Sequence, residues 1–113
     1  MLRVTFYEDS RQRLSSFVAE GHTELAAHGE DIVCAAISAI LQAARLGLEQ
    51  HAAAGLTIRQ QSGDMELAVA SEDRDREDVR AILGTALLAC DAIAAQYPDA
   101  VALRRETEAP VEQ

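Results

Sequence analysis

The sequence predicts a small α+β domain in which a mainly antiparallel sheet carries two helices on one face. Two stretches of alternating apolar residues predict strands, and two long stretches with apolar residues three and four positions apart predict helices. The predicted order is β-β-α-β-β-α, followed by a short last strand. A chain of 113 residues is long enough for one hydrophobic core and not for two. We therefore expect a single domain over residues 1–106 and a polar tail over residues 107–113.

The first two strands form a predicted hairpin. Leu2, Val4 and Phe6 alternate with more polar residues, which is typical of a strand with one buried face. Residues 8–13 are polar and predict a turn, after which residues 14–20 predict the returning strand. Residues 21–30 have a glycine near each end and predict a loop.

The first helix is predicted to begin at Asp31 and to end near Ala54. Its apolar residues recur at helical spacing, and Glu30 and Asp31 place negative charge at the positive end of the helix dipole. Gly55 predicts the stop, because glycine is the common residue just after a helix.

The second half of the chain repeats the strand, strand, helix order. Residues 56–58 open the pair of strands, which turns over residues 61–64. The charged residues 71–78 lead into the second helix, and Pro98 ends it because proline cannot continue a helix. Residues 101–103 predict the short fifth strand.

Composition narrows the class of protein. The formal net charge is −9, which disfavours direct binding to nucleic acid and to anionic membranes. No uninterrupted apolar stretch approaches the roughly 20 residues of a membrane span, and the N-terminus lacks the pattern of a signal peptide. Two cysteines are too few for a disulfide scaffold. We expect a cytoplasmic protein that contacts neither membrane nor nucleic acid.

Cys34 is the first candidate for chemistry. If Asp31 caps the helix, Cys34 lies in the first turn, where backbone N–H groups lower a thiol pKa and can stabilise an oxyanion. The alternative is that Cys34 is a small core residue, since cysteine is among the most buried residue types. Cys90 lies in the middle of the apolar stripe of the second helix and is interpreted as a core residue.

His22 is the candidate general base. It precedes the helix by a short loop that can fold back toward Cys34, and a histidine with a thiol is the minimum set for cysteine nucleophilic catalysis. A solvated loop histidine is the alternative. A third hypothesis is a metal site formed by His22, His28 and Cys34, although their spacing fits no common zinc pattern. The Ser38 hydroxyl either bonds back to the Cys34 carbonyl or faces the reaction site.

A run of residues resembles a known family. Gly21-His22, a short loop and then residues 29–39, GEDIVCAAISA, look like the signature of the ribosomal-processing cysteine proteases of bacteria. The order of the segments and the end of the second helix at residues 97–99 are also similar to that family, so the resemblance spans nearly the whole chain. Thr23-Glu24-Leu25 departs from it, because family members often carry small residues and a glycine after the histidine.

The resemblance implies an activity, site residues and partners. Cys34 would be the nucleophile and His22 its base, in a homodimer that needs no metal or other cofactor. The implied substrate is the N-terminal extension of large-subunit ribosomal protein twenty-seven, cut after a short apolar motif with paired aromatics. Asp31 matches an aspartate of the family that caps the helix, orients the histidine or holds the substrate backbone. Gly21 and Ser38 are further supporting residues.

Two functions therefore remain from the sequence. The first is a cysteine endopeptidase whose acidic charge attracts a basic ribosomal protein. The alternative is a non-catalytic module that binds a ribosomal or assembly protein through an altered loop on the same scaffold.

Overall fold

The computed structural model of the protein describes residues 1–21, 28–61 and 63–108, with side chains left undescribed for residues 28–31. Strands and helices follow the predicted order and confirm the fold class. In chain order the elements are β1 (Leu2–Glu8), β2 (Leu14–Glu20), α1 (His28–Leu46) with a π-helical extension (Gly47–His51), β3 (Leu56–Gln61), β4 (Asp64–Val69), a 3-10 turn (Ser71–Asp73), α2 (Glu77–Gln96) and β5 (Val101–Thr107).

The five strands form one mixed sheet in the order β3-β4-β2-β1-β5. All neighbouring pairs are antiparallel except β1 and β5, which are parallel. Phe6 lies opposite Phe17, and Phe17 lies opposite Leu67, so the register gathers these side chains on one face of the sheet. The two phenylalanine rings are 5.5 Å apart between centroids.

Both helices pack on this apolar face. Ile37 and Leu41 of α1 and Leu83 of α2 join Val4 and Phe6 of β1 in one buried core. The opposite face of the sheet carries charged pairs, which include Arg3 with Glu20 and Arg59 with Glu66. The protein is therefore a two-layer structure with an open, polar sheet face.

The bounds of α1 differ from the prediction at both ends. The helix begins at His28, three residues before the predicted start at Asp31, so that Glu30 and Asp31 lie within its first turn. Gly29 favours a loop in the sequence, but glycine costs least at a helix end, where the backbone is not fully hydrogen bonded.

The helical segment ends at His51, before the predicted stop at Gly55. Ala53 adopts a positive φ of 49°, a conformation that is more typical of glycine. Contacts from the segment before α2 hold this end, since the Arg76 guanidinium donates to the Ala52 carbonyl and the Gly55 N–H donates to Asp73 Oδ2 at 2.8 Å.

The fifth strand is longer than the short strand predicted for residues 101–103. It runs from Val101 through Thr107 beside β1, so its last residue is the first residue of the predicted tail. Residues 109–113 lie outside the described residues.

One helical segment of the described chain, Ile32–His51, is long and apolar enough to span a membrane by composition alone, with a mean hydropathy of 1.5. The core helix of a globular domain passes the same test, and this segment supplies Ile37, Leu41 and Leu48 to the core. Only about a third of the segment is buried within the chain.

Candidate active site

Cys34 lies in the second turn of α1, whereas the sequence predicts the first turn. The reason is the earlier start of the helix at His28. The effect of a helix dipole fades within the first turn, and the N–H of Cys34 falls within the regular helical hydrogen-bond pattern. The helix end alone is therefore a weak activator of this thiol.

The Cys34 side chain is buried, with 3% of the residue exposed. Its neighbours Val33 and Ile37 are buried as well. Side chains on a helix tilt toward the N-terminus, so the Cys34 Sγ leans toward the start of α1. This is the end of the helix that the chain reaches after His22.

Gly21 fixes the direction in which the chain leaves β2. Its φ is 89°, and a Cβ atom built on it would lie 2.7 Å from the carbonyl oxygen of Met1. No other residue type fits that position without strain. Gly21 is also the residue that directly precedes the predicted base in the sequence.

The other candidate residues divide between the described and undescribed parts of the chain. His22 lies outside the described residues, as do the side chains of His28 and Asp31, although α1 includes the backbone of the latter two. Ser38, one turn after Cys34, is exposed at the surface. Among the described side chains, no three potential metal ligands come together.

Cys90 is the second buried cysteine of the described chain. It is fully buried in α2, and burial raises the pKa of its thiol to about 12. A thiol in this environment stays protonated and inert near neutral pH. The structure thus confirms the interpretation of Cys90 as a core residue.

The structure also contains a buried carboxylate that sequence reasoning missed. Asp9 Oδ1 accepts hydrogen bonds from the backbone N–H groups of Arg11 and Arg13 at 2.9 and 3.1 Å. Asp9 Oδ2 accepts from Arg13 Nε at 3.0 Å and from an Arg74 guanidinium nitrogen at 3.1 Å. The polar run at residues 8–13 predicts only a turn, and a partner 65 positions away is invisible in the sequence.

Burial is the largest single influence on Asp9 and opposes its ionisation. The hydrogen bonds from Arg13, Arg74 and Arg11 together outweigh burial and hold the pKa of this carboxyl at about 2. Arg11 and Arg13 lie in the β1–β2 turn, and Arg74 lies in the segment before α2. Asp9 therefore has a structural role, because it connects these two parts of the fold.

The chain matches a protein family and several solved structures over nearly its whole length. The family model described as cysteine protease Prp matches residues 1–102. The crystal structure of SMU.848 from Streptococcus mutans is 25% identical, covers 96% of each chain and superposes with a TM-score of 0.85. No curated protein sequence gives a significant match.

Two structures of the ribosomal processing protease Prp from Staphylococcus aureus share the fold. The complex with a substrate peptide is 20% identical, covers 93% of this chain and 99% of that chain, and has a TM-score of 0.84. The complex with a covalently linked product peptide is 21% identical, with the same coverage and a TM-score of 0.81. With a family model that extends over residues 1–102, the chain belongs to the cysteine protease Prp family.

Proposed function

We propose that this protein is a cysteine endopeptidase that removes the N-terminal extension of large-subunit ribosomal protein twenty-seven. The observation that carries the proposal is the contrast between the two cysteines. Both cysteines are buried in the core, but Cys34 stands inside the family-like run at the N-terminal part of α1, whereas Cys90 lies outside any such run, in α2, with a thiol pKa of about 12. Membership of a cysteine protease family supports the reaction class.

In the proposed mechanism Cys34 is the nucleophile and His22 is the base. His22 takes the proton of the thiol as Sγ attacks the scissile carbonyl carbon. The tetrahedral intermediate collapses when His22 returns the proton to the leaving amine, which frees the mature ribosomal protein. A thioester to the N-terminal fragment remains on Cys34, and water activated by His22 hydrolyses it.

The oxyanion of the intermediate needs hydrogen-bond donors near Sγ. In a helix that begins at residue 28, the N–H groups of residues 28–30 have no carbonyl partner within the helix, and they precede Cys34 by about one turn, on the side toward which its side chain leans. We assign the oxyanion to these groups. Asp31 lies within the first turn of α1, which begins at His28, so the role of N-cap expected for it is wrong. Of the two other roles, Asp31 orients His22 or holds the peptide backbone, while Ser38 is exposed at the surface one turn after Cys34.

Charge and sequence resemblance support the choice of partner and location. Ribosomal proteins are generally basic, and a chain with net charge −9 attracts a basic substrate. The similar protein from Staphylococcus aureus is a ribosomal processing protease whose structure holds a substrate peptide. We propose that the present chain acts in the cytoplasm as a homodimer, on ribosomal protein that is not yet bound to RNA.

The 3% exposure of Cys34 favours a second candidate, a binding module without catalysis. Thiol labelling separates the two functions. A peptidase predicts fast reaction of Cys34 with iodoacetamide at pH 7, after local opening, while Cys90 stays unlabelled. A binding module predicts that both cysteines label at the same slow rate, read by peptide mass spectrometry.

The substrate proposal is tested with the precursor of ribosomal protein twenty-seven from the same genome. The parent protein should remove the extension, and Cys34→Ala and His22→Ala should lower the rate at least about 1000-fold, since both groups act as one unit. Cys90→Ala is the matched control and should retain cleavage. An uncut precursor would refute the substrate, and equal rates for the parent and Cys34→Ala would refute the mechanism.

A further inference from the structure

A polar cavity lies between the β1–β2 turn and the start of α2. It has a volume of about 650 Å³, and its polar lining residues are Arg11, Gln12, Arg13, Asp75, Glu77 and Arg80. Leu14, the first residue of β2, also lines the cavity. Since β2 is roughly 20 Å long and the chain continues to His22 from its other end, the cavity is separate from the candidate active site.

Two arginines at this cavity have no side-chain partner within the described part of the chain. The sequence contains no lysine, so all ten basic side chains are arginines. Ion pairs with described carboxylates use seven of them. The side chains of the other three, Arg11, Arg80 and Arg104, form neither an ion pair nor a hydrogen bond with a described residue. Arg11 and Arg80 both line the cavity, which gives one site two guanidinium groups whose donors are available to a ligand.

The carboxylates of the cavity do not cancel this positive charge. Arg13 Nη1 donates to Asp75 Oδ2 at 3.0 Å, and Arg13 Nε donates to the buried Asp9 at 3.0 Å. These bonds neutralise Asp75 and hold Arg13 in place. Glu77 is then the lining carboxylate that opposes the two arginines without partners. The cavity therefore carries more positive than negative charge in a chain whose net charge is −9.

We propose that this cavity binds a compact phosphoryl anion through Arg11 and Arg80. A phosphoryl group has a charge of about −1.5 to −2 and three acceptor oxygens, so it can engage more than one guanidinium at once. A single carboxylate is satisfied by the fork of one arginine. The site goes beyond the proposed peptidase activity and does not depend on it.

The lining also limits the size of the ligand. Among the described residues, no aromatic side chain lines the cavity, so a nucleobase would find no surface on which to stack. The net negative charge of the whole chain repels a long phosphate backbone. These two features favour a free pyrophosphate or a small phosphate monoester over a nucleotide or RNA.

The test is isothermal titration calorimetry with sodium pyrophosphate at pH 7 and about 50 mM NaCl, where screening is weak. The parent protein should bind with a dissociation constant below about 1 mM. Arg11→Gln and Arg80→Gln should each raise that constant about tenfold, because each removes a charge-assisted hydrogen bond. Glu77→Gln should lower it about threefold, because it removes a like charge from the cavity.

Arg104→Gln is the matched control for the arginine variants. Arg104 is exposed on β5, has no described partner and lies outside the cavity, and its substitution changes the net charge by the same amount. It should leave the dissociation constant within about twofold of the parent value. All four substituted residues are exposed, so circular dichroism should show an unchanged fold.

Titration with glucose 6-phosphate separates the two forms of the ligand. Binding as tight as that of pyrophosphate would assign the site to phosphate monoesters, and weaker binding would assign it to pyrophosphate. Absence of any heat of binding in both the parent and Glu77→Gln would overturn the site, as would an equal loss of affinity in Arg104→Gln. Tighter binding of citrate, or of an RNA oligonucleotide, would also overturn the assignment to a compact phosphoryl anion.

Discussion

Asp9 holds the β1–β2 turn against the segment before α2 through four hydrogen bonds to its carboxylate. Its pKa is about 2, below the usual value near 3.9 for an unfolded chain. A depressed pKa stabilises the fold above the unfolded pKa and loses that stabilisation as the pH falls toward the folded pKa. We expect this carboxylate to contribute on the order of 2 kcal/mol at pH 7.

The Asp9→Asn substitution tests this contribution. It should lower the free energy of unfolding by about 2 kcal/mol at pH 7, and the difference from the parent should shrink between pH 4 and pH 2. Asp75→Asn is the control, because Asp75 pairs with the same Arg13 but is largely exposed, and should cost less than about 0.5 kcal/mol. Urea unfolding at several pH values gives both numbers; a constant difference down to pH 2 would contradict the role of ionised Asp9.

Single residues also show what a sequence can predict about a site. The run around Cys34 and the Gly-His pair identify the candidate residues from the sequence alone, because motifs are local. The hydrogen bond between Asp9 and Arg74 is not predictable in this way, because the two residues are far apart in the sequence and meet only in the folded protein. Gly21 is identified by the motif in the sequence. The structure gives the reason for a glycine there, which is the close approach of its backbone to Met1.

Two glycines at defined places in the elements give opposite predictions. Gly21→Ala at the end of β2 combines a positive φ with a contact of 2.7 Å to the Met1 carbonyl oxygen, and should destabilise the protein by about 1 to 3 kcal/mol. Gly84→Ala in the middle of α2 meets no atom within 4 Å and should stabilise it by up to about 1 kcal/mol. Thermal unfolding should move the midpoint down in the first variant and up in the second, and shifts of the same sign would contradict these expectations.

The element bounds show where local signals fail. Alternation and helical spacing predict all five strands and both α-helices, but α1 begins three residues early because its first turn accepts Gly29. At its other end, tertiary contacts from Arg76 and Asp73 decide where the helix ends, so Ala53 takes the positive φ expected of a glycine. The early start also moves Cys34 from the predicted first turn into the second turn, where the helix dipole acts on it less strongly.

At the scale of the whole protein, sequence patterns do not predict the order of the strands in the sheet. Hairpins place β1 beside β2 and β3 beside β4, as neighbours along a chain usually pair. The contact of β2 with β4 and the parallel pairing of β5 with β1 join strands that are separated along the chain by one or both helices, so no local signal predicts them. The net charge, by contrast, follows from composition and leads to a prediction about rate.

The acidic charge predicts that cleavage of the intact basic substrate depends on salt. From about 20 to about 200 mM NaCl the value of kcat/KM should fall by roughly three- to tenfold, because ions screen long-range attraction. A short uncharged peptide that spans the cleavage motif is the control and should change little. Equal salt dependence for both substrates would contradict electrostatic steering.

The proposed role of Cys34 as the nucleophile predicts a direct chemical signature, a thioester on Cys34 that forms before hydrolysis. Enzyme mixed with the ribosomal precursor, quenched in acid during turnover and digested, should yield the Cys34 peptide with the mass of the N-terminal fragment added. The adduct should be lost in Cys34→Ala and retained in Cys90→Ala. Cleavage of the precursor by Cys34→Ala at the rate of the parent protein, with no adduct on the parent, would contradict the role of Cys34.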